Sequence, residues 1–358
     1  MRSSYRFEEC EKWKETLASR LAVCLKKGKA RELELGATAI ALIVVTLGAY
    51  DGDWTEQVCE EFLPLLKQKI TGTGGPKARV ACLRTLGILC FLGTEDSLVL
   101  QQCIEKVQKC VSASASEVRS EAYVVLALLL SVSVPIGKQG RKILDHMTMY
   151  LETFTKALED ESVDVRTAAG NALVVLREVF GEILDEEDEG EDGEGEANGG
   201  GGGGKSTMDE EVMEKMTRMA TSSWTDEGSG TRMNKRDRSS QRRAFRSLAE
   251  AMEGKSPSKE SKIKLKHGDV LLLDTHSLRV TAGVFRSLLL SGFQVHMQTN
   301  DLLHQVFNFR PRQEKIHLSQ LEKKMMFSPN SATKKKQTKT RNKDRMQRTA
   351  AKLDFYQE

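Results

Sequence analysis

One pattern recurs three times in the first half of this chain, and its period restricts the fold more than any other feature. Ala78-Arg79-Val80-Ala81-Cys82-Leu83-Arg84-Thr85-Leu86, Val118-Arg119-Ser120-Glu121-Ala122-Tyr123-Val124-Val125-Leu126 and Val165-Arg166-Thr167-Ala168-Ala169-Gly170-Asn171-Ala172-Leu173 share it. Each has an apolar residue, an arginine, small residues two or three positions later, and a leucine seven positions after the arginine. The arginines are 40 and 47 residues apart. A fainter copy without an arginine lies at Leu35-Gly36-Ala37-Thr38-Ala39-Ile40-Ala41-Leu42.

That period belongs to HEAT or armadillo repeats, helix pairs or triplets stacked into a superhelix. Small residues let an inner helix approach its neighbour closely, and a leucine two turns on returns to the same face. Arg79, Arg119 and Arg166 are expected to bond acidic or carbonyl groups of the adjacent repeat, forming a ladder. Helical stretches at Glu56–Ile70, Gln101–Val111 and Lys142–Leu158 supply the outer helices. A further helix, Phe7–Leu25, opens the chain without a visible cap. The sequence therefore predicts a mainly α chain whose residues 7–184 form a HEAT/armadillo-like solenoid. An irregular helical bundle is the simpler alternative.

The apolar content of 39% is below the globular norm. The deficit lies after residue 184, because the stretch before it is rich in Leu, Val and Ala. The apolar runs Ala37–Ala49 and Tyr123–Ile136 are too short to span a bilayer and read as buried helices. The opening residues carry no apolar stretch of a secretory signal. All seven cysteines lie between Cys10 and Cys110, with no CxxC pair. Reduced, mostly buried thiols in the cytoplasm or nucleus are expected, rather than disulfides or a zinc site.

Charge divides the chain. Residues 1–231 hold 26 Lys and Arg against 39 Asp and Glu, a net of −13; residues 232–358 hold 28 against 12, a net of +16. An acidic body joined to a basic back suggests a protein-binding part carrying a nucleic-acid-binding part. A solvated surface with a nuclear import signal is the alternative. Asp185–Glu196 has nine acidic residues and no basic one, and six glycines follow at Gly199–Gly204. Residues 185–231 thus read as a flexible linker with a short helix.

Residues 232–327 restart structure as a small α/β unit. Ser239–Glu253 reads as a basic amphipathic helix with Phe245, Leu248 and Met252 on one face. Asp269–Asp274 reads as a short buried strand, and Leu278–Leu290 as a helix stopped by Gly292. Phe293–Gln298 alternates like a strand, and Asn300 is placed to cap a helix over Asp301–Phe309.

Chemical motifs are sparse. Gly199–Ser206 formally matches a phosphate-binding loop, but a polyacidic segment precedes it where a buried strand is required, so nucleotide binding there is rejected. None of the six histidines stands at metal-ligand spacing, although His296 and His304 have room to meet. No nucleophile elbow or paired carboxylate cleft is present, so neither catalytic residues, cofactor nor metal is expected.

The segment 328–358 is different. Between Lys334 and Lys352 it places nine basic residues, Lys334, Lys335, Lys336, Lys339, Arg341, Lys343, Arg345, Arg348 and Lys352, with one acid. Thr, Gln and Asn between them donate hydrogen bonds to phosphate and ribose. Like-charge repulsion keeps such a helix frayed when free, and neutralised phosphates remove that repulsion. Basic groups all round the helix suit a channel walled by RNA. Lys235, Arg236, Arg238, Arg242 and Arg243 form a second basic cluster.

Several stretches resemble the interferon-related developmental regulator family: Cys24–Lys29, Asn234–Arg238, Phe245–Glu253, His296–Leu303, the basic Thr338–Arg345 and the terminal Asp354-Phe355-Tyr356. Their order agrees as well. The chain looks like an N-terminally short member, and its acidic/Gly insert Asp185–Gly204 matches nothing in the family pattern. The resemblance implies an α-solenoid regulator without catalysis, associated with ribosome binding that represses translation and with transcriptional co-regulation. It implies a C-terminal helix similar to a plug in the RNA-lined mRNA path. Ribosome and rRNA are then the expected partners, with co-repressor proteins along the solenoid as the alternative, in cytoplasm and nucleus, and with neither membrane nor small-molecule substrate.

Overall fold

The structure, a computed structural model, describes residues 4–48, 51–72, 74–94, 96–133, 140–188, 207–221, 235–253, 262–265, 268–311 and Lys335. Helices run in pairs: α1 (Phe7–Lys27) with α2 (Ala30–Leu47), α3 (Gly52–Ile70) with α4 (Pro76–Gly93), α5 (Ser97–Gln108) with α6 (Ser116–Val132), and α7 (Gly140–Ala157) with α8 (Val163–Asp188). The second helix of each pair packs on the second helix of the next, as the repeat pattern requires. Local chemistry sets the starts. Asp51 accepts the Trp54 N–H at 3.1 Å, Asp96 accepts that of Leu98 at 2.8 Å, and Pro76 opens α4, where no amide is needed.

The stack continues past its sequence signature. Helix α8 runs to Asp188, into the acidic stretch, and α9 (Thr207–Thr221) with α10 (Lys235–Met252) forms a fifth pair. Helix α10 packs on α8 as α8 packs on α6. Gly170 permits this approach, because a Cβ there would lie 2.7 Å from Leu248 Cδ1. Phe245 and Leu248 are buried, as the amphipathic reading expected. The acidic/Gly stretch therefore interrupts the helical stack rather than following it. The remaining residues between Asp188 and Thr207 lie outside the described ones.

Two of the three arginines, Arg119 and Arg166, reach the adjacent repeat as a ladder requires, whereas the Arg79 bond stays within its own helix pair. Arg79 Nε donates to the Ile70 carbonyl at the end of α3, 2.8 Å away. Arg119 donates to the Ala113 and Ser114 carbonyls at 2.9 and 3.0 Å, and its Nε and other terminal nitrogen grip the Asp160 carboxylate of the next repeat, each at 3.0 Å. Arg166, 2% exposed, donates to the Asp160 and Glu161 carbonyls at 2.6 and 3.1 Å and to Gln241 Oε1 of α10 at 2.9 Å. Asp160 is thus a node, its carboxylate held by one rung and its carbonyl by the next. A further rung escaped the sequence reading: Arg84 Nε and Nη2 bind the Glu121 carboxylate at 2.8 and 2.6 Å, joining α4 to α6. Opposite charges separated by nearly one repeat were the available signal.

Residues 262–265 and 268–307 close over the inner helices. Strands β1 (Lys262–Lys264) and β2 (Val270–Leu272) pair antiparallel with Ile263 opposite Leu271. Helix α11 (His276–Leu289), a 3₁₀ turn (Leu290–Gly292), α12 (Phe293–Thr299) and α13 (Asp301–Val306) follow. Leu271, Phe285, Leu289, Met297 and Leu303 make a second core with Ala41, Leu42 and Val45 of α2, Ile88 of α4 and Leu128 of α6. Residues through Pro311 belong to one compact unit.

Three local expectations are corrected here. Phe293–Gln298 is helix, not strand: the buried positions are Phe293, His296 and Met297, a helical spacing hidden because histidine reads as polar. The Asp269–Asp274 strand is buried only on one side, with Leu271 and Leu273 inward and Val270 and Leu272 about half exposed. Helix α11 ends at Leu290, whose φ of 52° breaks the helix before Gly292 is reached.

Replacing Arg166 by Ala orphans buried acceptors in two repeats and is expected to lower stability by about 3 kcal/mol, against about 1 kcal/mol for Arg79→Ala, which loses one bond. Urea unfolding midpoints of the two variants measure the difference.

Candidate functional site

The N-terminal halves of the inner helices border a groove of about 610 Å³. Glu34 and Thr38 come from α2, Lys77 and Arg84 from α4, Glu117, Ser120 and Glu121 from α6, Asp164, Thr167 and Asn171 from α8, and Ser240 and Gln241 from α10. Arg84 is committed to Glu121 and Glu34 is paired with Arg31 at 2.8 Å, which leaves Glu117 and Asp164 facing one lysine, Lys77. Hydroxyls and carboxylates spaced by the helix repeat can hydrogen-bond an extended chain. Among the described residues no group of three His, Cys, Asp or Glu could hold a metal, and no described helix is long and apolar enough to cross a membrane. The seven cysteines are free thiols; six are buried, and burial pushes those of Cys59 and Cys82 up to about 12.

Polar contacts, from exposed to fully buried, tie residues 268–307 to the solenoid. Glu178 of α8 accepts the His276 N–H at 2.6 Å and the Ser277 hydroxyl at 2.8 Å, so a carboxylate sits at the α11 N-terminus. Asn171 donates to the Thr167 carbonyl at 2.8 Å, which turns its oxygen to His276 Nε2, also at 2.8 Å. Burial, then the charge of Arg279, pushes His276 down to about 4, so its ring is neutral. At the other end, Asn300 is fully buried; it caps α13 through Leu302 N–H and donates to the Val45 carbonyl at 2.9 Å. The Tyr5 hydroxyl donates to the neighbouring Thr46 carbonyl at 3.4 Å, and its ring meets His296 edge-on. These contacts satisfy carbonyls left open at the end of α2. His296 and His304 take separate partners, Asn300 and the Met297 carbonyl.

The ladder residues are therefore brought together along the repeats, while the basic residues are not all placed. Lys235 and Arg236 lie in the first turn of α10; Arg238 and Arg242 are half-buried along it and Arg243 is exposed. Lys335 is exposed and helical, in a separate unit that begins at Arg312. Lys334, Lys336, Lys339, Arg341, Lys343, Arg345, Arg348 and Lys352 lie outside the described residues, as does the Gly199–Ser206 stretch.

A stack of helix pairs closed on one side by its own C-terminal elements defines the class, a helical-repeat protein. The particular family follows from comparison. The model of the interferon-related developmental regulator family matches residues 1–253, and that of the interferon-related protein conserved region matches residues 300–349. The chain is 28% identical to interferon-related developmental regulator 2 of Mus musculus, over 93% of this chain and 73% of that protein. It is 27% identical to interferon-related developmental regulator 1 of Sus scrofa and of Homo sapiens, over 93% of this chain and 71% of each. The chain belongs to the interferon-related developmental regulator family.

The pH dependence of stability follows from His276. The unfolded ring takes a proton near its ordinary 6.5, whereas the folded ring refuses it until about 4. The unfolded state thus binds more protons between these values, and the contribution is complete above pH 6.5 and declines as pH falls to 4. Denaturation midpoints are expected to drop across that window, and less steeply in His276→Gln.

Proposed function

We propose that this chain is a non-enzymatic regulator that binds the ribosome and represses translation, with its basic C-terminal segment entering an RNA-lined channel. The observation that carries the reading is the concentration of charge: nine basic residues against one acid over Lys334–Lys352, in a back part of net +16. The conserved-region match at residues 300–349 covers most of that segment, which supports treating it as a property of the family. The exposed, helical Lys335 is compatible with a helix carrying charge outward. In this reading the ladder-braced solenoid supplies a stiff docking body, and the arginines of α10 add phosphate contacts. The protein acts in the cytoplasm on ribosomes and also enters the nucleus.

A second reading has its own observation. The groove carries Glu117 and Asp164 against one lysine, Lys77, with Glu34 and Glu121 paired to arginines, a net acidic lining that disfavours phosphate and suits a protein chain. Under this alternative the chain is a transcriptional co-regulator that holds co-repressor proteins along the solenoid.

Sedimentation with purified ribosomes over a range of salt separates the two. The intact chain is expected to co-sediment, and a Lys334, Lys335, Lys336 and Lys339→Glu variant to bind more weakly. Each phosphate that the variant leaves without its cation flattens the slope of log K against log salt by about 0.7–0.9. Equal affinity and slope in the variant would remove the tail from the mechanism, and an intact chain left in the supernatant favours the protein-scaffold reading.

A further inference from the structure

A second cavity, of about 390 Å³, opens between the inner helices and the elements that close over them. Its apolar wall includes Val124, Leu248 and Leu273, and α11 presents Arg279, Gly283 and Arg286 to it. Thr167, Asn171, Ser247 and His276 supply neutral polar groups, and no Asp or Glu is among the lining residues. The neighbouring groove, by contrast, is lined by four carboxylates, those of Glu34, Glu117, Glu121 and Asp164.

Arg279 and Arg286 stand seven residues, two helical turns, apart and so share a face of α11. Among the described residues neither guanidinium is in an ion pair. Arg279 is half-buried, and its Nε is out of water without an acceptor, which costs free energy until a partner is supplied. Between them, a Cβ built on Gly283 would meet nothing within 4 Å, so the helix surface is open to an approaching group. Two cations on one helix face, one half-buried and one exposed, no competing carboxylate and an apolar wall are the components of a site for an anion with a flat apolar body. Guanidinium pairs match phosphate oxygens in a bidentate way, and the cavity lies within the roughly 300–1,000 Å³ typical of ligand pockets.

We propose that this cavity binds a nucleotide, its phosphate clamped by Arg279 and Arg286 and its base laid against Val124, Leu248 and Leu273. The nucleotide comes either free, as a monophosphate, or as one residue of single-stranded RNA. The site is remote in sequence from the basic tail, and the proposal does not rest on ribosome binding.

The test uses the full chain carrying Lys334, Lys335, Lys336 and Lys339→Glu, so that tail charge does not dominate. Its probes are AMP, GMP and a labelled ten-nucleotide single-stranded RNA, followed by calorimetry and fluorescence anisotropy. Saturable binding is expected, weakened at least tenfold by Arg286→Ala and abolished by Ser247→Glu, which puts a carboxylate in the cavity while keeping both arginines. Arg286 is exposed, so its variant is expected to keep the parent's thermal midpoint. Binding of AMP or GMP identifies the free nucleotide as the source; binding of the RNA alone identifies RNA. O-phosphoserine, which has no base, is expected to compete poorly. The proposal is overturned if no probe binds, if binding is unchanged in Arg286→Ala and Ser247→Glu, or if O-phosphoserine competes as well as AMP.

Discussion

Everything in this structure depends on inner helices that are apolar on two sides. In α2, Ile40, Ile43, Val44 and Leu47 face the repeat core, while Ala41, Leu42 and Val45 face the opposite way. In α6, Leu126, Leu129 and Leu130 face the core and Leu128 faces away. A solenoid of ordinary repeats solvates its concave side. Here that side would expose an apolar strip to water, at roughly 25 cal/mol for each Å². Strands β1 and β2 and helices α11–α13 cover the strip, so the C-terminal elements complete the solenoid rather than hang from it.

Coverage at one end leaves the other end polar. The groove bordered by Glu34, Arg84, Glu121 and Asp164 stays open, and the arginine ladder runs past it. The ladder solves a specific problem of repeat proteins, in which each unit touches only its neighbours. Arg119 and Arg166 each satisfy carbonyls within one repeat and a side chain of the next, so helix termination and inter-repeat register are fixed by the same groups. Asp160 couples both rungs. Through Gln241, the last rung carries that register across the acidic/Gly stretch into α10.

The repeat architecture was legible because it is written in spacing: arginine, small residues and leucine at fixed offsets, and apolar runs too short for a membrane. The fifth pair was not, because α10 is a terminal helix. Covered on one face only, it keeps arginines where internal helices have Ala and Val, and so reads as a basic amphipathic segment. The α12 helix was missed because His296 is a buried member of its apolar face. The Asn300 cap was readable locally, but its donation to Val45 links residues 255 apart, which no local pattern reveals. The same holds for the cavity between Leu248 and Arg286, whose walls come from four distant segments. The family resemblance was carried partly by His296–Leu303, and the structure gives that stretch a role in sealing α2.

Native-state hydrogen exchange in increasing denaturant tests the central claim most directly, that the C-terminal elements and inner helices are one cooperative unit. Amides of α11 and α13 are expected to open together with those of α2 and α6, at one common free energy. Opening of α11–α13 at low denaturant, with α2 and α6 still fully protected, would contradict it.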